Sequence, residues 1–177
     1  MTTRLAPTIT AAALSIVCGL THPGTARCDD SGEAPSERVG RREARRQARL
    51  LHETIHSTLH RMHHEFYRED EGLPIPAAVI EDTFDDLKET QQVELRWLVV
   101  EGQAMNTDHV ARNEFEKAAV KALESGREEY EWIDGGMYRR AGAISLTNAC
   151  LKCHVPDRKT TENRTAGLIV GVPIRGK

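Results

Sequence analysis

Val93-Glu94-Leu95-Arg96-Trp97-Leu98-Val99-Val100 is the stretch on which the fold turns. Val93, Leu95, Trp97 and Val99 recur at every second position, the period of a strand with one face buried. The segments ahead of it keep the helical period instead. Over residues 41–68, Leu51, Ile55, Leu59, Met62 and Phe66 recur at helical spacing and make one apolar stripe. The start of this segment carries Arg41, Arg42, Arg45, Arg46 and Arg49, which read as a solvated face. Gly72-Leu73-Pro74-Ile75-Pro76 ends it, and a second amphipathic helix is predicted over 77–90, with Val79, Ile80, Phe84 and Leu87 inward.

Beyond Val100 the pattern alternates again. Residues 102–108 read as a loop, with Asp108 as N-cap of a third helix over 109–125 and Gly126 as its stop. Tyr130-Glu131-Trp132-Ile133 and residues 137–146 form a hairpin around Asp134-Gly135-Gly136. Trp97 and Trp132 are expected in the core. Residues 147–154 carry a cysteine motif, 155–165 form a polar loop, and 166–174 make a closing strand rich in β-branched residues. The order predicts an α+β fold, a short antiparallel sheet with helices packed on one face. There is no internal repeat.

The first residues read as a targeting segment. Arg4 precedes the apolar run 9–20, which falls short of the roughly 20 residues a bilayer span needs. Gly24-Thr25-Ala26 offers small residues for cleavage after Ala26. The expectation is a signal peptide over 1–26, a flexible leader over 27–40, a domain over 41–177, and a periplasmic or secreted location. A lipoprotein would need small residues ahead of Cys18 or Cys28, and Val17 and Arg27 fit that poorly. No later apolar run is long enough for a membrane span. A net charge of −3 gives no case for nucleic-acid binding by bulk electrostatics. Aromatics are 5% of the 177 residues, so a core short of large side chains leaves room for an apolar cofactor.

Cys150-Leu151-Lys152-Cys153-His154 carries the chemistry. Two thiols separated by two residues can each add to one vinyl group of a haem, and the adjoining histidine then ligates the iron. Three plainer readings compete. A thioredoxin-like pair would sit early, after a first strand and at a helix start. A zinc site would want a second ligand pair, and none follows His154. A Cys150–Cys153 disulfide would close a small, strained loop. The secretory start adds weight to haem, because c-type haem is attached outside the cytoplasm.

With those residues in view, the chain resembles the secreted or periplasmic c-type haem proteins with a PAS-like fold. The resemblance runs over residues 95–174. It rests on Arg96, Asn106, residues 114–123, Gly136-Met137-Tyr138-Arg139, Ala143-Ile144, Cys150 to His154, and Gly171-Val172-Pro173-Ile174. Gly102-Gln103-Ala104 stands where the family carries Arg-Asn-Pro, and Ala143 where a proline is common. The resemblance implies one covalent haem c held against a PAS-like sheet by Cys150, Cys153 and His154, in electron transfer or redox or small-ligand sensing rather than turnover. Its partners would be a redox protein or a small gaseous ligand. A peroxidase-type enzyme with an open iron is the rival. The chain carries no kinase or cyclase region, so a sensor would need a separate output partner, which favours electron transfer.

The resemblance implies a cysteine ligand in the stretch aligned with 78–82 in some relatives, and no cysteine is there in this chain. The sixth iron position is left to histidine, Met62, Met105, water or nothing. On a helical wheel His52, His56 and His63 border the apolar stripe, His60 lies further round, and His64 faces away. His63 is the first distal candidate and His60 the second. Met62 reads as packing, and His109 as an exposed helix start. Arg96, Tyr138, Arg139 and Arg140 are candidates for the haem propionates, the alternative being ordinary strand charge.

Overall fold

The computed structural model describes residues 38–104, 106–148, 150–151 and 159–175. The expected signal peptide and the leader up to residue 37, together with Met105, Cys153 and His154, lie outside the described residues.

Helix α1 (Arg41–Glu65) starts at Gly40 and is oriented by small residues. Ala44, Ala48 and His52 are its buried positions, with Leu51, Ile55 and Leu59 packed at the margin. Alanines at i and i+4 let the helix backbone approach the sheet, and this turns the buried stripe toward His52. Phe66, expected in the stripe, is 75% exposed, because the helix ends at Glu65 and Phe66 is its C-cap. Arg45 and Arg49 are not simply solvated, since they pair with Glu131 and Glu129 of a strand. Exposed pairs of this kind contribute at most about 1 kcal/mol each. Val39, inside the expected leader, bridges to Ile174, so the entry to α1 is tied down.

Helix α2 (Pro76–Gln91) has proline in its first turn and ends where Gln92 turns left-handed at φ 56°. It buries Phe84 against Trp97, with ring centroids 5.1 Å apart, and leaves Val79 exposed, contrary to expectation. Strand β1 (Glu94–Val99) follows. Helix α3 (Glu114–Glu124) starts later than expected. Asn113, not Asp108, is its N-cap, and its side chain accepts from the Glu116 N–H at 2.9 Å. Asp108 and His109 instead belong to a short 3₁₀ turn, Thr107–His109, which Asn106 caps. Gly126, at φ 85°, stops α3 as read from sequence.

Strands β2 (Glu129–Asp134) and β3 (Met137–Leu146) form the expected hairpin. Gly135 and Gly136 both adopt positive φ between the paired Asp134 and Met137, as a two-residue hairpin loop demands. Strand β4 (Arg164–Pro173) closes an antiparallel sheet in the order β1-β4-β3-β2.

The one-face layering does not hold. Trp97, Tyr138, Ile144, Leu168, Val170 and Val172 point toward α1 and α2. Leu98, Ala141 and Ile169 point the other way, into a second core with Phe115, Ala119 and Leu123 of α3. The helices therefore cover both faces. Trp132 is 40% exposed on edge strand β2 rather than in the core.

Candidate cofactor site

The described residues present three places where site chemistry was expected. The first is the haem segment itself. After Leu146 the chain turns through a helical turn in which the Thr147 carbonyl accepts from the Cys150 and Leu151 N–H groups at 2.9 and 3.1 Å. Leu151 is fully buried and pins the turn, while Cys150 is half-buried with its thiol 3.5 Å from the Thr147 hydroxyl. One half of the C-x-x-C-H motif is thus positioned by the end of β3.

The second place is a cavity of about 220 Å3 between the helices and the sheet, which Leu146 lines but no residue of that turn does. Leu59 of α1, Ile75, Ala77 and Ala78 at the start of α2, Trp97 and Val99 of β1, Ile144 and Leu146 of β3, and Ala166 and Gly167 of β4 wall it. Its rim is polar, from Glu81, Glu101, Gln103, Asn106, His109 and Thr165. Apolar walls with a few polar groups are the usual make-up of a cofactor pocket. The walls suit the edge of an apolar cofactor, and Cys150 lies a single turn beyond Leu146, but about 220 Å3 is below the roughly 300 Å3 at which ligand pockets begin, so a porphyrin would extend beyond this cavity.

The third place is a groove of about 590 Å3 between the second half of α1 and the end of β3. His56, His60 and His64 line it with Ser57, Arg61, Glu65, Ser145 and Thr147. None of these residues is apolar in type, yet the stems of Arg61 and Glu65 and the imidazole rings still present carbon to the groove. His60 faces this groove. His63 lies in neither space; its Nδ1 is 3.0 Å from the Leu59 carbonyl and its ring packs near Tyr67.

The four propionate candidates are not brought together, and none lines the apolar cavity. Arg96 pairs with Glu116 at 2.9 Å and donates to the Asp108 and Val110 carbonyls, which anchors the 3₁₀ turn and α3 to β1. Arg139 lies 3.8 Å from Glu94. Tyr138 and Arg140 sit on the opposite face, beneath α1, at 2% and 5% exposure. Arg140 Nε donates to Glu129 at 2.7 Å, while its Nη1, the Tyr138 hydroxyl and His52 Nε2 are buried without hydrogen-bond partners. Burial pushes the Tyr138 phenol up to about 12, with the nearby Glu131 carboxylate adding to it. Burial, and then the Arg140 charge, hold His52 below its ordinary value. Glu129 feels burial in the opposite sense, but Arg49 and Arg140 outweigh it and keep the carboxylate below its ordinary value.

Sequence reading missed the rim of the cavity. His109 Nε2 is 2.7 Å from Glu81 Oε1 and 3.3 Å from Asn106 Nδ2, although Glu81 and His109 are 28 residues apart. No local pattern announces a pair formed across that separation. No helix among the described residues is long and apolar enough to cross a membrane.

The family model of the Tll0287-like proteins matches residues 37–172. Among solved structures, the crystal structure of the cyanobacterial heme-protein Tll0287 is similar, with a TM-score of 0.49 and 14% identity over 76% of this chain and 93% of that one. No curated protein matches the sequence.

Proposed function

The chain belongs to the Tll0287-like family, and from that premise we propose that it is a single-haem c-type protein acting outside the cytoplasm in electron transfer, or in redox or small-ligand sensing. The observation that carries this reading is the family match, together with Cys150 held in the helical turn that follows β3. Tll0287, whose name the family bears, is a cyanobacterial heme-protein. The PAS-like reading of the sheet rests on strand order, in which the first strand lies beside the last.

In this reading Cys150 and Cys153 form the two thioether links and His154 is the proximal ligand. Leu59, Ala77, Trp97, Ile144, Leu146 and Ala166 would give the group an apolar wall that keeps water from the part of it they touch. When bound, haem supplies a one-electron iron centre whose potential the chain tunes by ligand, burial and hydrogen bonding. Trp97 is held in place by its Nε1–H, which donates to the Ala77 carbonyl at 3.2 Å, so that wall is fixed by backbone as well as by packing.

The test is chemical. Protein made with the haem-attachment machinery should keep its colour on the chain through extraction with acid and organic solvent, and its intact mass should include one haem. Cys150→Ala with Cys153→Ala should abolish both. Covalent haem retained by the double variant would sink the assignment of these two thiols, and a colourless wild type would sink the function.

A further inference from the structure

Helix α1 carries ligating side chains that the haem reading above does not use. His56, His60 and His64 follow one another at intervals of four, so they stack a turn apart along one side of the helix. All three line the groove of about 590 Å3 toward the end of β3. We infer that His60 and His64 form a chelating site for a divalent transition-metal ion of the copper(II), nickel(II) or zinc(II) class. The inference is independent of the haem reading.

Three observations carry it. The His60 and His64 ring centroids are 6.4 Å apart, with planes inclined by 30°. Two imidazole nitrogens on one ion, each about 2.1 Å from it, lie at most about 4.2 Å apart. Both side chains are exposed, so each ring can turn a nitrogen toward a shared ion by rotation about its own bonds, with the helix backbone unmoved. Next, the nitrogens are available. Among the described residues His60 has no hydrogen-bond partner. His64 has its Nδ1 3.3 Å from Glu65 Oε1, which leaves Nε2 to bind. A carboxylate on the second nitrogen is the usual companion of a metal-binding histidine, because it fixes the tautomer and raises the basicity of the other nitrogen. Finally, the surroundings select the class of ion. Arg61 and Glu65 line the groove with opposite charges, so charge alone draws no cation there. Magnesium and calcium want several oxygen ligands, whereas imidazole suits copper, nickel and zinc. Among the described residues no three His, Cys, Asp or Glu side chains are gathered to hold a metal, so the site is a two-imidazole chelate whose other positions go to water. Ser145 and Thr147 line the same groove and offer hydroxyls to those waters.

A row of merely solvated imidazoles is the alternative. Calorimetric titration of the full chain, purified from cells that carry the haem-attachment machinery, with zinc and with copper(II) salts separates the two. Binding should saturate at one ion per chain, with copper held more tightly than zinc. The melting temperature should rise with the concentration of either ion, because the chelate exists only in the folded helix. His60→Ala and His64→Ala should each weaken binding by about tenfold or more. His63→Ala should bind as wild type does, since that ring packs near Tyr67 and lies outside the groove. Circular dichroism should show the same helix content in all three variants, so that a lost affinity reports a lost ligand. Uptake that never saturates overturns the inference, as does an affinity unchanged in His60→Ala and His64→Ala. So does an equal loss in His63→Ala. A haem absorption spectrum altered by His60→Ala also overturns it, because that imidazole would then belong to the iron.

Discussion

Where His52 meets β3, helix α1 lies so close to the sheet that a Cβ on Gly142 would fall 2.5 Å from Arg140 Nη1 and 2.6 Å from His52. Two turns further along the same helix, Leu59 faces Ile144 and Leu146 of the same strand across a cavity of about 220 Å3. The closed end is made with small residues, Ala44, Ala48 and Gly142, which draw the backbones together around polar side chains. The hollow end has α2 entering above it at Pro76, and Ile75, Ala77 and Ala78 roof the space without filling it. One helix on one strand can thus both lock and hold open the fold. Two of the polar groups that look like ligand binders in the sequence, Tyr138 and Arg140, belong to the lock.

The sharpest way to break this contrast is Gly142→Val. With no room for even a methyl, the substitution should cost about 3 kcal/mol by urea denaturation. A loss below about 1 kcal/mol would mean that the closed end yields and is not a lock. Second, Tyr138→Phe removes a buried hydroxyl that has no hydrogen-bond partner, so it should stabilise the fold by about 1 kcal/mol. Measurable destabilisation would instead reveal a hydrogen bond worth keeping at the closed end. A third test concerns proton linkage. His52 is held below its ordinary value of 6.5, so the folded chain binds fewer protons there than the unfolded chain. Stability from this group is complete above that value and falls as pH drops from about 7 to 5. His52→Gln should flatten that slope, whereas the contribution of Glu129, whose ordinary value is 4.5, fades only at lower pH. An unaltered slope in His52→Gln would assign the linkage elsewhere. The smallest effect on stability belongs to the hollow end, where Ala166→Leu should change unfolding by less than about 1 kcal/mol because the side chain enters existing space. The same variant should carry markedly less covalent haem, read as Soret absorbance per chain. Full haem loading in Ala166→Leu would place the cofactor outside this cavity.

Much of the architecture was legible before any coordinates. The period change at Val93, the Gly135-Gly136 hairpin and the stop at Gly126 are local signals, and the strand, turn and helix end follow from them. The layering was misread although a signal existed. Trp97-Leu98-Val99-Val100 is apolar without alternation, the mark of a strand covered on both faces, and Leu98 and Val100 indeed meet the α3 core. The start of α3 was misplaced because Asn106, Asp108 and Asn113 are all chemically able caps and only the backbone decides among them. The site was half legible. The cysteine motif is contiguous, so sequence suffices for it. The cavity rim is assembled from α2 and a 3₁₀ turn, and a pair such as Glu81 and His109, 28 residues apart, leaves no local pattern to read.

Val39 pairs with Ile174, and the Arg175 N–H donates back to the Val39 carbonyl at 3.0 Å. Both segments leave the sheet beside Gly136, where β3 begins, whereas Leu146 at the far end of that strand walls the cavity. A ten-residue strand separates the two by roughly 30 Å. A linker spliced to either side of the domain, or a tether fixed through residue 38 or 175, would emerge from one corner, a full strand length away from the wall that Leu146 gives the cavity.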